Sequence, residues 1–302
     1  MHGSREFLLN LRRFLWVEPL KLPNVGAIES VTFVSSEQAN RFFRRLISVA
    51  QAMPRNWFGQ QLAQLARKLV LRLADLPIRS RVDGLNFEFH IRDNASEKKY
   101  LFMPWRFDLA ERSLLVKEMP KDAVFVDIGA NVGIYSLYVA SHLGPNGRVI
   151  AFEPNPSAYQ RLSTNVALNE ATLSADIALL QLGVSAKDEI VELYLDDGNL
   201  GGSSLVMESA NKTTIECKPL LDVLQSQGVE KIHGLKIDIE GAEDIALTPF
   251  LQRAPASLLP RWIVIENSQH LWKTDLTALI LGLGYQLRHS SRMNSVYWYA
   301  QD

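Results

Sequence analysis

Hydrophobic positions near the start of the chain recur every three to four residues. Phe58, Leu62, Leu65, Leu69 and Leu73 share one helical face while Arg67, Lys68 and Arg72 take others. A second basic helix is expected over about 37–50, and Leu76-Pro77 closes this part. From residue 82 the period changes. Segments 82–91 and 98–105, around the polar Asp93-Asn94-Ala95-Ser96, predict a β-hairpin, followed by a helix over 109–118. Five short apolar runs come next, at 123–128, 148–152, 178–182, 233–239 and 262–265, mostly with helical patterns between them. This alternation predicts an α/β fold whose parallel sheet is covered on both faces. Runs rich in β-formers at 190–195, 198–205 and 213–218 form an insertion before the fourth strand. Segments 284–289 and 295–300 read as a closing antiparallel hairpin.

Composition adds limits rather than a fold. The 302 residues are 47% hydrophobic and 22% charged, which excludes wholesale disorder and collagen-like structure. The net charge of −1 conceals a division. Residues 1–80 carry 12 Lys/Arg against 5 Asp/Glu, a net +7, which leaves 20 against 28, a net −8, for residues 81–302. A basic helical N-terminal segment over 1–80 and a catalytic domain over 81–302 are therefore expected. The segment suits an anionic lipid surface or a partner; its plainer reading is a helical cap or a dimerisation arm. A near-neutral balance gives no reason to expect a nucleic-acid partner. Cys217 is the single cysteine, which excludes an internal disulfide and a multi-cysteine zinc site. No run reaches about 18 apolar residues and the start lacks a signal-peptide pattern, so the expected location is cytoplasmic, with peripheral membrane contact and a homo-oligomer left open.

The chemistry begins at Val124-Phe-Val-Asp-Ile-Gly-Ala-Asn-Val-Gly133, an apolar strand running into glycines at 129 and 133 and then into a helix. Glycine there permits a tight turn and close approach of a ligand to the backbone. A dinucleotide would also use such a turn, but the carboxylate of Asp127 would repel a pyrophosphate and suits a ligand bearing an ammonium and a sulfonium. Asn131 also replaces the middle glycine of a dinucleotide fingerprint. Twenty residues after Gly133, Glu153 ends the second strand, where an acidic residue accepts hydrogen bonds from ribose hydroxyls.

With these residues in place, Asp127-Ile-Gly-Ala-Asn-Val-Gly133, Phe152-Glu-Pro-Asn155 and Leu235-Lys-Ile-Asp-Ile-Glu-Gly-Ala-Glu243 together resemble the FkbM-like S-adenosylmethionine-dependent methyltransferases. The resemblance runs from about residue 82 to the end. It implies a doubly wound, Rossmann-like class I methyltransferase sheet of seven strands with a closing antiparallel hairpin, and methyl transfer to a hydroxyl of a sugar, glycan or natural product. It further implies that Asp127, Gly129, Asn131 and Gly133 hold the amino acid end of S-adenosylmethionine and Glu153 its ribose. Where many methyltransferases place an acidic residue on the adenine, this chain has Leu182-Gly-Val-Ser185, so Ser185 or a backbone carbonyl takes that contact.

The reacting centre is expected at Lys236-Ile-Asp-Ile-Glu240. Strand alternation would place Lys236, Asp238 and Glu240 on one face, with Asp238 or Glu240 orienting the acceptor and removing its proton. The plainer reading makes Glu240 a helix cap and Lys236 with Asp238 a buried ion pair. Asp238, Glu240 and Glu243 make only a weak case for a divalent ion, so no metal is assigned. Glu266 and Asn267 would line the acceptor pocket, and His270 is a second candidate base. Residues 199–204 read either as a turn that closes over the substrate or as a plain hairpin loop. Two competing functions remain, a nicotinamide-dependent sugar dehydrogenase or epimerase and a cofactor-binding module without catalysis. The first lacks an obvious Tyr-x-x-x-Lys pair, and the acidic residues around Asp238 oppose the second.

Overall fold

The computed structural model describes residues 36–300 apart from 55, 75–76, 197 and 204–209, with residues 36–41 described by backbone alone. The chain divides into two units after Gln38, and the second, from Ala39 onward, contains the sheets. Two helices come first, α1 (Ser36–Ala52) and α2 (Trp57–Leu73). Both fall within the basic helical segment expected over 1–80, for which a helical cap is the plainer reading. Phe43, Ile47, Ala63 and Val70 share one hydrophobic core with Phe87, Phe89 and Leu101, so the unit boundary cannot fall between them. Gly59, Ala63, Ala66 and Val70 form the buried face of α2, and small residues there let the helix approach its support closely. Gln51 Nε2 adds a hydrogen bond to the Leu101 carbonyl at 2.7 Å.

Strands β1 (Ile78–Val82) and β2 (Leu85–Phe89) make a hairpin around Asp83 and Gly84, whose φ values of 51° and 83° give the two-residue turn that matches strand twist. The expected hairpin partner at 98–105 is instead helix α3 (Ala95–Phe102). Asn94 caps it by accepting a hydrogen bond from the Glu97 amide at 3.1 Å, and the Asp-Gly turn has already closed the hairpin. A 3-10 turn at Pro104–Arg106 leads to α4 (Leu109–Lys117), matching the helix expected there. Fully buried Arg112 on α4 ties these pieces together, pairing with Asp83 at 2.9 Å and donating to the Phe107 and Pro104 carbonyls.

The main sheet has the expected doubly wound α/β form. Its strands are β3 (Val124–Ile128), β4 (Arg148–Phe152), β5 (Asp176–Leu180), β9 (Gly234–Ile237), β10 (Trp262–Glu266), β11 (Gln286–Ser290) and β12 (Asn294–Trp298), in the order β11-β12-β10-β9-β3-β4-β5. β12 runs antiparallel to both neighbours; β10-β9-β3-β4-β5 are parallel. Successive residues serve opposite faces: Phe125, Val149 and Val264 enter one core, Val126, Ile150 and Ile265 the other. Helices α5 (Ile134–Ala140), α6 (Pro156–Ala167), α7 (Leu220–Ser226), α8 (Glu243–Arg253) and α9 (Leu276–Gly282) complete the layers. β6 (Gly183–Val184), β7 (Glu189–Tyr194) and β8 (Lys212–Lys218) form a separate small sheet from the insertion. Cys217 lies buried there, against Gly183. Within the run at 198–205, Leu200–Gly202 form a 3-10 turn, and 204–209 lie outside the described residues. Among the described residues no helix is long and apolar enough to cross a membrane.

Strand order reverses between β3 and β9, and sheets of this kind bind ligands at the carboxyl ends of the strands flanking such a point. Arg112 holds the carbonyl of Phe107, which faces that region. Replacing Arg112 with Ala leaves Asp83 and the Phe107 and Pro104 carbonyls without their shared donor and is expected to cost about 3 kcal/mol or more of stability; a chemical denaturation midpoint equal to wild type would refute this role.

Candidate active site

A cleft opens at the carboxyl ends of β3, β4 and β9, lined among others by Gly129, Asn131, Glu153, Lys236, Asp238 and Glu240. Its floor begins where β3 breaks into the turn 129–133. Gly129 has φ 75°, and a side chain there would meet the Asp238 carbonyl at 2.0 Å, so both conformation and contact demand glycine. The Gly129 and Ala130 amides donate to the Phe152 carbonyl, at 3.0 and 2.9 Å, which fastens the turn to the end of β4. Asn131 stands at φ 51°, a left-handed conformation that asparagine tolerates. Its Oδ1 accepts from Asn94 Nδ2 at 2.9 Å.

Glu153 sits where the sequence predicts, at the cleft wall beyond β4. Its two oxygens accept from the Asn131 amide at 2.7 Å and the Asn155 amide at 2.9 Å. Burial pushes its pKa up to about 7, although both amides pull it down. Each carboxylate oxygen has two acceptor sites, so Glu153 retains capacity for a hydroxyl donor.

Asp127 differs from expectation. It is fully buried beneath the turn and does not line the cleft. Ser136 Oγ donates to its Oδ2 at 2.5 Å, while Oδ1 has no hydrogen-bond partner and lies 3.8 Å from Lys236 Nζ. Burial raises the Asp127 pKa. Lys236 mediates between this carboxylate and the cleft. Its Nζ donates to the Gly129 carbonyl at 3.0 Å, pairs with Asp238 at 3.3 Å and stands 5.5 Å from the centre of the Tyr135 ring. Burial works against the ammonium, but Asp238 and Asp127 outweigh it and hold the lysine pKa above its ordinary value.

β9 stops at Ile237, short of the expected 239, so strand alternation does not place Glu240. A left-handed turn does, with φ 54° at Glu240 and 100° at Gly241. Carboxylate oxygens of Asp238, Glu240 and Glu266 lie within 4.8 Å of one another. Burial first, then Asp238, Glu266 and Glu243, pushes the Glu240 pKa up to about 8. Burial and Asp238 push Glu266 to about 7, against a hydrogen bond from Ser268 Oγ at 2.8 Å. Glu243 is not part of this group: it accepts from the Ile239 and Gly241 amides and from Trp272 Nε1, and so fixes the turn.

Two further residues expected in the site lie outside the cleft. His270 is exposed on the loop after β10 and does not line the cleft. Ser185 is buried with its hydroxyl donated to Glu189 at 2.6 Å, and the cleft wall there is Leu182, Gly183 and Val184 instead. Asn267 braces the closing hairpin through Ser291 and Ser295. The insertion does reach the cleft. Asn199, Leu200, Gly201 and Ser203 line it, held by hydrogen bonds from the Ala95 amide to Asn199 Oδ1 and from the Leu200 amide to the Asp93 carbonyl. Ser96, Phe107 and Tyr135 also line it. Ser96 and Phe107 carry no distinguishing mark in the sequence, whereas an aromatic two residues after Gly133 is a usable signal for Tyr135.

Residues 127–287 match the family model for the methyltransferase FkbM domain, more than half of the chain. Methyltransferase sdnD of Sordaria araneosa is 33% identical over 159 residues, 42% of this chain and 60% of sdnD. Hexuronic acid methyltransferase AglP of Haloferax volcanii is 23% identical over 226 residues, 75% of this chain and 85% of AglP. The crystal structure of methyltransferase FkbM from Methylobacillus flagellatus aligns over 80% of this chain and 60% of its own, at 20% identity and a TM-score of 0.40. The chain thus spans about three fifths of the length of sdnD.

The raised carboxyl pKa values make stability depend on pH. Glu240 and Glu266 titrate near 8 and 7 in the folded protein against an ordinary 4.5, so their contribution is complete below about pH 4.5 and is lost as pH rises through 7 to 8. The melting temperature is expected to fall between pH 5 and pH 8. Glu240→Gln should flatten that slope and raise the melting temperature at pH 8, by about 2–4 °C per kcal/mol of repulsion relieved; an unchanged slope would contradict the assignment.

Proposed function

Because the chain belongs to the FkbM methyltransferase family, we propose that it transfers a methyl group from S-adenosylmethionine to a hydroxyl of a sugar, glycan or natural product. The observation that carries this reading is the carboxyl group of Glu240, next to Asp238 and Glu266 and one turn from the glycine floor of the cleft. The residues suit the cofactor. Lys236 offers an ammonium for its carboxylate and the Gly129–Gly133 turn offers room beside the backbone. Glu153 accepts from ribose hydroxyls, and Phe152, Leu182 and Val184 give an apolar wall for the base. Asp127 acts from behind, through Lys236. S-adenosylmethionine supplies a methyl group already activated on a positively charged sulfur.

The protein's task is then to align the acceptor and take its proton. Alignment of two reactants supplies up to about 7–11 kcal/mol, and a general base about 100-fold to 10,000-fold in rate. A base works best when its pKa lies near the working pH, and burial, helped by the neighbouring Asp238 and Glu266, brings Glu240 there. Lys236 Nζ lies 3.3 Å from Asp238 Oδ2 and orients that carboxyl group beside Glu240. The sugar class is supported by AglP, which is named for methylation of a hexuronic acid. The nicotinamide and non-catalytic readings have no comparable support, since the family is one of methyltransferases and the cleft carries a candidate base.

Two measurements test the proposal. Titration calorimetry should show S-adenosylmethionine binding in wild type and in Glu240→Gln alike. With labelled cofactor and a panel of hexuronic acids, glycans and hydroxylated natural products, Glu240→Gln and Asp238→Ala should each lower turnover about 100-fold or more. Wild-type turnover should rise with pH through about 7 to 8, following deprotonation of Glu240. Binding of reduced nicotinamide in place of S-adenosylmethionine, or full turnover in both variants, would overturn it.

A further inference from the structure

The outer side of α2 has no role in the site. Its buried face is Gly59, Ala63, Ala66 and Val70, yet the apolar arc of the helix is wider than that face. Phe58, Leu65, Leu69 and Leu73 follow one another along a strip beside it, and they are 40% to 64% exposed. Trp57 at the start of the helix is 73% exposed, and Phe42 on the neighbouring helix 53%. Contiguous exposed apolar residues of this size mark an interaction surface. Helical spacing places Lys68 and Arg72 along the solvent edge of the strip.

Charge selects the partner. Residues 38–74 contain seven Lys/Arg and no Asp/Glu. Two copies of such a surface repel each other, which disfavours a symmetric dimer. Residues 1–35 hold four basic and three acidic residues, a poor complement. Large aromatics at the end of an apolar strip, with long basic side chains along its edge, fit the boundary of a bilayer, where rings sit at headgroup depth and Lys and Arg stems lie flat with their charges toward phosphate.

We propose that the outer face of α2, through Trp57, Phe58, Leu65 and Leu69 with Lys68 and Arg72, docks the protein on anionic lipid bilayers. The contact is peripheral, since α2 keeps its small-residue face on the core. It also lies close to the cleft: Arg106 Nη1 donates to Gln60 Oε1 on α2 at 3.1 Å, and the next residue, Phe107, lines the cleft.

The test uses the full chain and two kinds of vesicle, pure phosphatidylcholine and phosphatidylcholine with about 30% phosphatidylglycerol, a content that gives the surface a negative potential. Wild type should float with the second and not the first, and should be released by about 0.5 M salt. Lys68→Glu with Arg72→Glu should weaken flotation at least about 25-fold, at roughly fivefold for each cation lost. Leu65→Gln with Leu69→Gln should weaken it at least about 10-fold while leaving the melting temperature and S-adenosylmethionine titration unchanged, because both side chains are exposed. Equal flotation with neutral vesicles, none with anionic ones, or undiminished flotation of either variant overturns the proposal. So does a wild-type dimer in sedimentation analysis that the Leu65 and Leu69 changes dissociate, which would make a second copy the occupant.

Discussion

Lys236 carries an ammonium group into a place almost closed to water, and the partners it needs there organise the rest of the site. An unpaired charge at such a position costs several kcal/mol. The Gly129 carbonyl, Asp238 and Asp127 share that charge, and each comes from a different piece of backbone: the turn after β3, the end of β9 and the body of β3. One cation thereby fixes the separation between the half of the cleft suited to a cofactor and the half suited to an acceptor. Gly129 reinforces this at close range, since its missing side chain lets the Asp238 carbonyl pass.

The carboxyl group of Glu240 occupies a costly position in two respects. A non-glycine residue in the left-handed region gives up about 1–2 kcal/mol, and burial, then crowding with Asp238 and Glu266, opposes its ionisation. Glu243 maintains the arrangement by accepting the amides of Ile239 and Gly241 while Trp272 holds its other oxygen. The acidic motif therefore contains two kinds of residue, one facing the cleft and one that builds the turn presenting it.

The sheet was largely legible from the chain because its strands are covered on both faces and read as unbroken apolar runs between helical stretches. The glycine turn and Glu153 were legible for a related reason, since they lie within two residues of strand ends that the pattern locates well. Errors arose where long-range contact decides. Residues 98–105 look strand-like, but Asn94 caps a helix and Asp83-Gly84 closes the hairpin earlier. Position along the chain offers Ser185 or a backbone carbonyl to the adenine, but Glu189, four residues away, takes the Ser185 hydroxyl. Glu240 reached its expected neighbour by a turn, where alternation along a strand was the expected route. The charge division at residue 80 is real, but core packing ignores it, because α1 and α2 present Ile47, Ala63 and Val70 to the same interior as β2.

Cys217 has a practical meaning of a different kind. It is the sole cysteine of the chain, buried beside Gly183, and burial raises its thiol to about 11. A thiol that is both enclosed and protonated at neutral pH reacts slowly with alkylating reagents and with disulfides. The molecule is thus a nearly silent background for thiol chemistry. A cysteine introduced at any exposed position would take a fluorophore or spin label alone, and distances within the working protein would be readable without first removing a native residue from the small sheet.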